Sequence, residues 1–155
     1  MRRRFNSILR RPRGRDGNAL LEFAIGSSLL IAAFGGTFQF GYTFLQYNNL
    51  ENAVARGARY ASLIPYDSAT TSPSSDFQTA VQNVVLYGNP NGGTATVLPG
   101  LTASNVDLAV TFTNGVPSAM TVSITGYTIN SIFAATTLSL KPSVTYAYQG
   151  VWSPE

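Results

Sequence analysis

The sequence has no cysteine and no histidine among its 155 residues, and only seven acidic side chains. Those absences exclude a Ser-His-Asp triad, a cysteine nucleophile, a zinc site of the usual ligands and a disulfide framework. Asp67, Asp76 and Asp107 are not spaced as a cation-binding loop, so neither a metal nor a cofactor is expected, and the scattered acids make an enzyme improbable. Proline is missing from Gly14 to Ile64, and charge is missing from Phe23 to Leu50. A long stretch is therefore free to be helical, and half of it has no reason to face water.

What charge there is lies unevenly. Seven of the ten basic residues (Arg2, Arg3, Arg4, Arg10, Arg11, Arg13, Arg15) fall in the first fifteen positions, and with Asp16 they give residues 1–17 a net +6. The remainder carries Arg56, Arg59 and Lys141 against six acids, a net −3. A basic tail suits nucleic-acid binding, a sorting signal or a cytoplasmic membrane anchor. The segment that follows decides, because Leu20 to about Tyr42 is long enough to cross a hydrocarbon core, which takes roughly 20 helical residues. Arginines on its N-terminal side predict that end to be cytoplasmic and the rest extracytoplasmic. The competing readings are a buried core helix, a twin-arginine export signal built on Arg2, Arg3, Arg4 and Phe5, and a DNA-binding tail. The first has no use for flanking arginines. The second is interrupted by Asp16 and Glu22, and the third would need the tail to stay on a mature chain, so no nucleic acid is expected.

Glu22 stands at the start of the apolar run, where an ionised group is disfavoured by up to ~3 kcal/mol at a helix centre and by less near an end. Such an acid implies a partner. Cleavage after Gly17 would make Asn18 the first residue, with its free amine at i, i+4 spacing from Glu22. That geometry is awkward within one helix, but a neighbouring subunit shifted along the axis could offer its amine. Ser28, Ala32 and Gly36, small residues four apart, form a face on which another membrane helix could pack closely, or are ordinary membrane-helix composition.

The pattern of a basic leader ending in Gly17, then Asn18, Ala19, Leu20, Leu21, Glu22, Phe23 and a membrane-length apolar run, resembles the leader of type IV pilins and pseudopilins. Residues 17–62 more closely resemble the TadE-like family, minor pseudopilins of tight-adherence (Flp pilus) systems, through the Gly17 to Phe23 motif, the Gln39, Phe40, Gly41 stretch and AVARGARYA at Ala53 to Ala61. Many members carry a proline where this chain reads Gly26, Ser27, Ser28. The resemblance implies cleavage by a prepilin peptidase between Gly17 and Asn18, with Glu22 and Phe23 serving processing and assembly. It also implies other pilin or pseudopilin subunits and an inner-membrane assembly platform as partners besides the lipid bilayer, and a single-pass inner-membrane location or an assembled extracellular pilus. The alternative is an uncleaved signal-anchored periplasmic binding or adhesion protein.

The expected organisation is a leader at 1–17, a membrane-spanning half-helix at 18–42 and an extracytoplasmic α+β domain at 43–155. A helix from Asn18 to about Ser62 would be roughly 68 Å long at 1.5 Å per residue. Its outer half has an apolar stripe at Tyr47, Leu50, Val54, Gly57 or Ala58 and Ala61, and a polar stripe at Asn49, Asn52, Arg56 and Arg59. The two arginines are read as either a solvated face or subunit contacts. Gly35, Gly36 and Gly41 mark where the helix could bend.

A Pro, Ser and Thr loop at 64–75 precedes a second helix over 77–87, capped by Ser75 or Asp76, apolar at Phe77, Ala80, Val81, Val84 and Val85, and ended by Gly88. Alternation predicts a hairpin, Val106 to Phe112 and Met120 to Thr125, turning at Asn114-Gly115. A last strand holds Val144, Tyr146 and Tyr148, and 95–98 is a candidate edge strand. The segment 130–141 is an apolar loop or a short helix. The fold class is thus α+β, with the long helix and the short one packed against a small antiparallel sheet of three or four strands. Tyr127, Tyr146, Tyr148 and Trp152 are read as sheet and core residues.

Overall fold

The first helix, α1 (Arg15–Leu63), owes its length to the missing prolines. It belongs to a computed structural model that describes residues 15–131 and 133–154, so most of the expected leader, residues 1–14, lies outside the described residues. Helical hydrogen bonding runs through Gly35, Gly36 and Gly41. The chain divides into two compact units, one ending at Phe38 and the other spanning Gln39–Glu155.

In the first unit, the large apolar side chains from Leu20 to Phe38 are all exposed. Its hydroxyls are satisfied within the helix. Ser27 donates to Ala24 O at 3.1 Å, Ser28 to Ile25 O at 2.8 Å and Thr37 to Ala33 O at 2.9 Å. Back-bonding of this kind removes the cost of placing a hydroxyl in hydrocarbon. Among the described residues, α1 is the one helix long and apolar enough to cross a membrane.

The second unit builds its core on the outer part of α1. Leu50, Ala53, Val54, Gly57, Ala58 and Ala61 are buried, Tyr47 is half-buried, and Asn49, Asn52, Arg56 and Arg59 face solvent, as the two stripes require. Helix α2 (Ser75–Tyr87) lays Phe77, Val81, Val84 and Val85 on that core and ends at Gly88, in the left-handed conformation with φ 73°. Its cap is Ser74, one residue before the expected pair. Ser74 Oγ accepts from Phe77 N at 3.1 Å and donates to Asp67 Oδ2 at 2.5 Å. The Asp67 contact fixes the choice among three adjacent capping residues.

Strands β1 (Val106–Thr113) and β2 (Val116–Ile124) form the expected hairpin, with Asn114 and Gly115 at φ 55° and 80°, the pair of positive values that a tight two-residue turn demands. Register shifts at Thr111/Phe112, where Ser118 is the extra residue of a bulge and bonds Thr111 O at 3.0 Å. Val106, Val110, Met120, Val122 and Ile124 point into the core.

Two expectations are corrected in the rest of the sheet. Residues 95–98 are no edge strand: Val97 N donates once, to Leu86 O at 2.8 Å, and Pro99-Gly100 stops further pairing. The segment 130–141 is neither simple loop nor helix, because β3 (Thr128–Asn130) pairs with β4 (Ala135–Thr137) in a separate two-stranded sheet. The tip of that hairpin is held by α1: Gln39 Nε2 donates to Ser131 Oγ and, at 3.4 Å, to Ala134 O, while Phe133 N donates to Gln39 Oε1 at 3.0 Å. Strand β5 (Ser143–Ala147) then pairs antiparallel with β2, giving the order β1-β2-β5.

After β5 the chain returns to the end of α1. Gln149 N donates to Ser62 O and Ser153 N to Tyr66 O, while Tyr66 N sits between Val151 O at 2.9 Å and the Tyr148 hydroxyl at 2.8 Å. That hydroxyl shares its own proton between Val151 O at 2.8 Å and Ile64 O at 3.1 Å. Tyr66 is fully buried, edge-on to Phe77, Phe112 and Tyr148. Tyr127 is a core residue as expected, whereas Tyr146 is 40% exposed and Trp152 lies at the surface, bonded to Ser68 O.

Two consequences can be measured on the detergent-solubilised chain. A Cβ at Gly57 would overlap the Val85 Cγ2 methyl, whereas one at Gly41 would meet open space. Gly57→Val should therefore cost about 1–3 kcal/mol in urea unfolding followed by circular dichroism, and Gly41→Ala should not lower the midpoint. Burial raises the Tyr66 and Tyr148 phenols above the ordinary 10.0, outweighing the opposing hydrogen bonds. The folded state then holds its phenolic protons more tightly than the unfolded state, so stability should be flat below pH 10 and fall as pH rises beyond it. Tyr148→Phe should lower stability at neutral pH and flatten that alkaline decline.

Candidate functional site

The residues singled out in the sequence fall into three groups along α1. Gly17, Asn18, Glu22 and Phe23 lie in its first three turns, all exposed, Phe23 by 74%. Helical spacing sets Asn18 and Glu22 one turn apart on the same face. Glu22 has neither an ion pair nor a hydrogen bond among the described residues. Gly17 is helical rather than extended, and a side chain there would meet nothing within 4 Å. A peptidase acting at this peptide must first unwind the turn, which glycine makes easier by about 1 kcal/mol relative to alanine.

Ser28, Ala32 and Gly36 follow on one exposed face of the same helix. With its hydroxyl bonded to Ile25 O, Ser28 presents little more bulk than alanine and no unpaired donor. The stripe thus presents only small side chains on that face.

Arg56 and Arg59 lie in the second unit, apart from the other two groups in sequence. With Asn49, Asn52, Ala55, Val97 and Tyr146 they line an open groove of about 590 Å³. Neither guanidinium is paired among the described residues, and no acid lines the groove. Two uncompensated positive charges beside two amides suit a carboxylate-bearing partner better than an apolar one. Tyr146, read from the sequence as a sheet or core residue, is a residue of β5 and a wall of that groove. Among the described residues, no group of three or more Asp, Glu, His or Cys side chains could hold a metal ion.

Gln39 is the residue whose contacts sequence reasoning missed. It was noted as part of the Gln39, Phe40, Gly41 stretch, but nothing in the local pattern says that its amide closes the β3–β4 tip, 92 residues away. A single polar side chain at the edge of a long apolar run was the available signal.

Residues 17–59 match the family model described as TadE-like protein. No curated protein and no solved structure matches the chain. The matched stretch begins at the glycine of the leader motif and ends at Arg59, two residues beyond the glycine that lets α2 approach α1, so the similarity to TadE-like proteins covers this helix and not the rest of the chain.

Proposed function

We propose that this chain is a minor pseudopilin-like subunit of a tight-adherence pilus or secretion apparatus, a building block with no catalytic activity of its own. The observation that carries the reading is the N-terminal part of α1: a segment similar to TadE-like proteins that starts at Gly17, presents Glu22 without an ion pair or hydrogen bond among the described residues and continues into a run of exposed apolar side chains. The chain inserts with its arginines in the cytoplasm, residues 18–42 spanning the inner membrane and residues 43–155 forming the extracytoplasmic domain. A prepilin peptidase cuts between Gly17 and Asn18. The cut removes a net +6 that holds the N-terminus at an anionic membrane surface, where each basic residue contributes about 1 kcal/mol.

Assembly then uses what the cut exposes. The new Asn18 amine of one subunit pairs with Glu22 of a neighbour displaced along the helix axis, and Phe23 packs beside it. Ser28, Ala32 and Gly36 let helices approach, and the Arg56 and Arg59 groove receives acidic side chains of an adjoining pilin or pseudopilin on the assembly platform.

Intact mass and N-terminal sequencing, with and without the host's prepilin peptidase, test the first step. A chain beginning at Asn18 only when the peptidase is present is the expected result, and an uncut chain in both cases would make this an uncleaved signal-anchored protein. Gly17→Arg should stay full-length and unassembled; normal trimming would remove the proposed site. Glu22→Ala should be trimmed normally yet enter the apparatus poorly, and undiminished incorporation would end its proposed pairing.

A further inference from the structure

We infer that the tip of the β3–β4 hairpin is a membrane-contacting element, which places Phe133 in the interfacial layer of the bilayer on the side where α1 emerges. The inference rests on the reading of α1 as a span. A helix crosses a ~30 Å core in roughly 20 residues, and counted from Leu20 that length reaches Gln39, within one turn of the proposed end of the span at residue 42. Gln39 is also the residue that holds the tip, through Ser131, Phe133 and Ala134. The hairpin tip is therefore tethered to the residue that directly follows the first unit, near the proposed end of the span.

The chemistry of the tip fits this place. An irregular turn entering a lipid interface must satisfy its backbone polar groups internally. Ser131 N and Ser131 Oγ both donate to Ala134 O, at 3.2 and 2.7 Å, and Phe133 N is taken by Gln39 Oε1. The apolar side chain at the same turn is left outside: Phe133 is 68% exposed. From Thr113 to Leu140 no residue is charged, and Lys141 is the next charge in sequence. Phe40 and Phe44, exposed and stacked one turn apart on α1, extend the same aromatic level. Phenylalanine rings on interfacial elements bury their apolar surface at the boundary between headgroups and acyl chains. An exposed phenylalanine whose N–H is taken by Gln39, near the proposed end of the span, is what a bilayer would cover.

Three single-tryptophan forms of the full chain test this in phosphatidylcholine and phosphatidylglycerol vesicles, with the phosphatidylcholine brominated near the top of its acyl chains. They are the wild type, whose sole tryptophan is Trp152, Trp152→Phe with Phe133→Trp, and Trp152→Phe with Ile31→Trp. Tryptophan at 133 should lose emission to the brominated lipid and shift to the blue, tryptophan at 31 should be quenched as part of the span, and Trp152 should be unaffected. Quenching at 31 without quenching at 133 would overturn the tip contact and leave the span intact, even if 133 shifted to the blue through contact with a second copy. Failure at 31 would overturn the span and the inference with it. Quenching at all three positions would mean that the whole domain lies on the membrane, which overturns a contact confined to the tip. Gln39→Ala in the Phe133→Trp background should weaken quenching, and an unchanged signal would overturn the tether.

Discussion

One backbone pattern serves two surroundings in α1, and the rest of the chain is arranged around that demand. From Arg15 to Leu63 the helix satisfies its own interior peptide groups, so only side chains have to respond to the change of environment. From Phe23 to Phe38 they are apolar or small on every face, with hydroxyls bonded back to the helix. From Tyr47 on they divide into a buried stripe and a polar one. A helix apolar all round is stable where nothing competes for hydrogen bonds, and a striped helix is stable where one side is covered by protein. The arginine cluster and the small sheet are each intelligible as what one end of such a helix requires.

Covering the striped half imposes its own geometry. Alanine and glycine dominate Ala53 to Ala61, so α2 comes close enough for Val85 to occupy the space a side chain at Gly57 would need. Larger residues would bury more area per position but hold the helices apart, costing the dispersion contacts that close packing supplies. The opposite edge is closed differently, by the C-terminal segment, whose backbone bonds to Ser62 and Tyr66 around the Tyr148 hydroxyl. Burial there keeps the phenol protonated, and the proton is what ties Ile64 or Val151 to it.

The elements legible in the sequence are those whose signal repeats. The long helix, its two stripes, α2 and the β1–β2 hairpin each span enough residues for a period to show, and Asn114-Gly115 names its own turn. The cap of α2 was displaced by one residue, because Ser74, Ser75 and Asp76 are equivalent locally and only Asp67 distinguishes them. The β3–β4 hairpin escaped because three residues per strand carry no readable alternation and its tip is fixed by Gln39 from the far end of the sequence. Segment 95–98 misled in the other direction, since its residues suit a strand but Pro99 and Gly100 leave it nothing to pair with. The residues of the candidate site were legible as positions, because processing motifs are local, and Arg56 and Arg59 showed as a stripe. The groove they line was not, since Val97 and Tyr146 reach it only through the fold.

Within the apolar run the balance of polar groups gives the proposed assembly its physical basis. Between Ala19 and Phe38 the polar side chains are Glu22, Ser27, Ser28 and Thr37. Three of them are satisfied by the helix that carries them, and Glu22 alone has no partner among the described residues. A lone acid near the end of a span costs less than one at its centre, but it still gains by meeting a positive charge away from water. In the proposed orientation the arginines of the uncut chain favour the cytoplasmic surface and its anionic lipids. The proposed cut would eliminate that competition and create an amine that no longer belongs to a charged tail. An apolar run that satisfies every polar side chain except Glu22 among the described residues, and that would gain one complementary charge from the proposed cut, has its strongest unmet interaction at the end where a neighbouring helix can supply it.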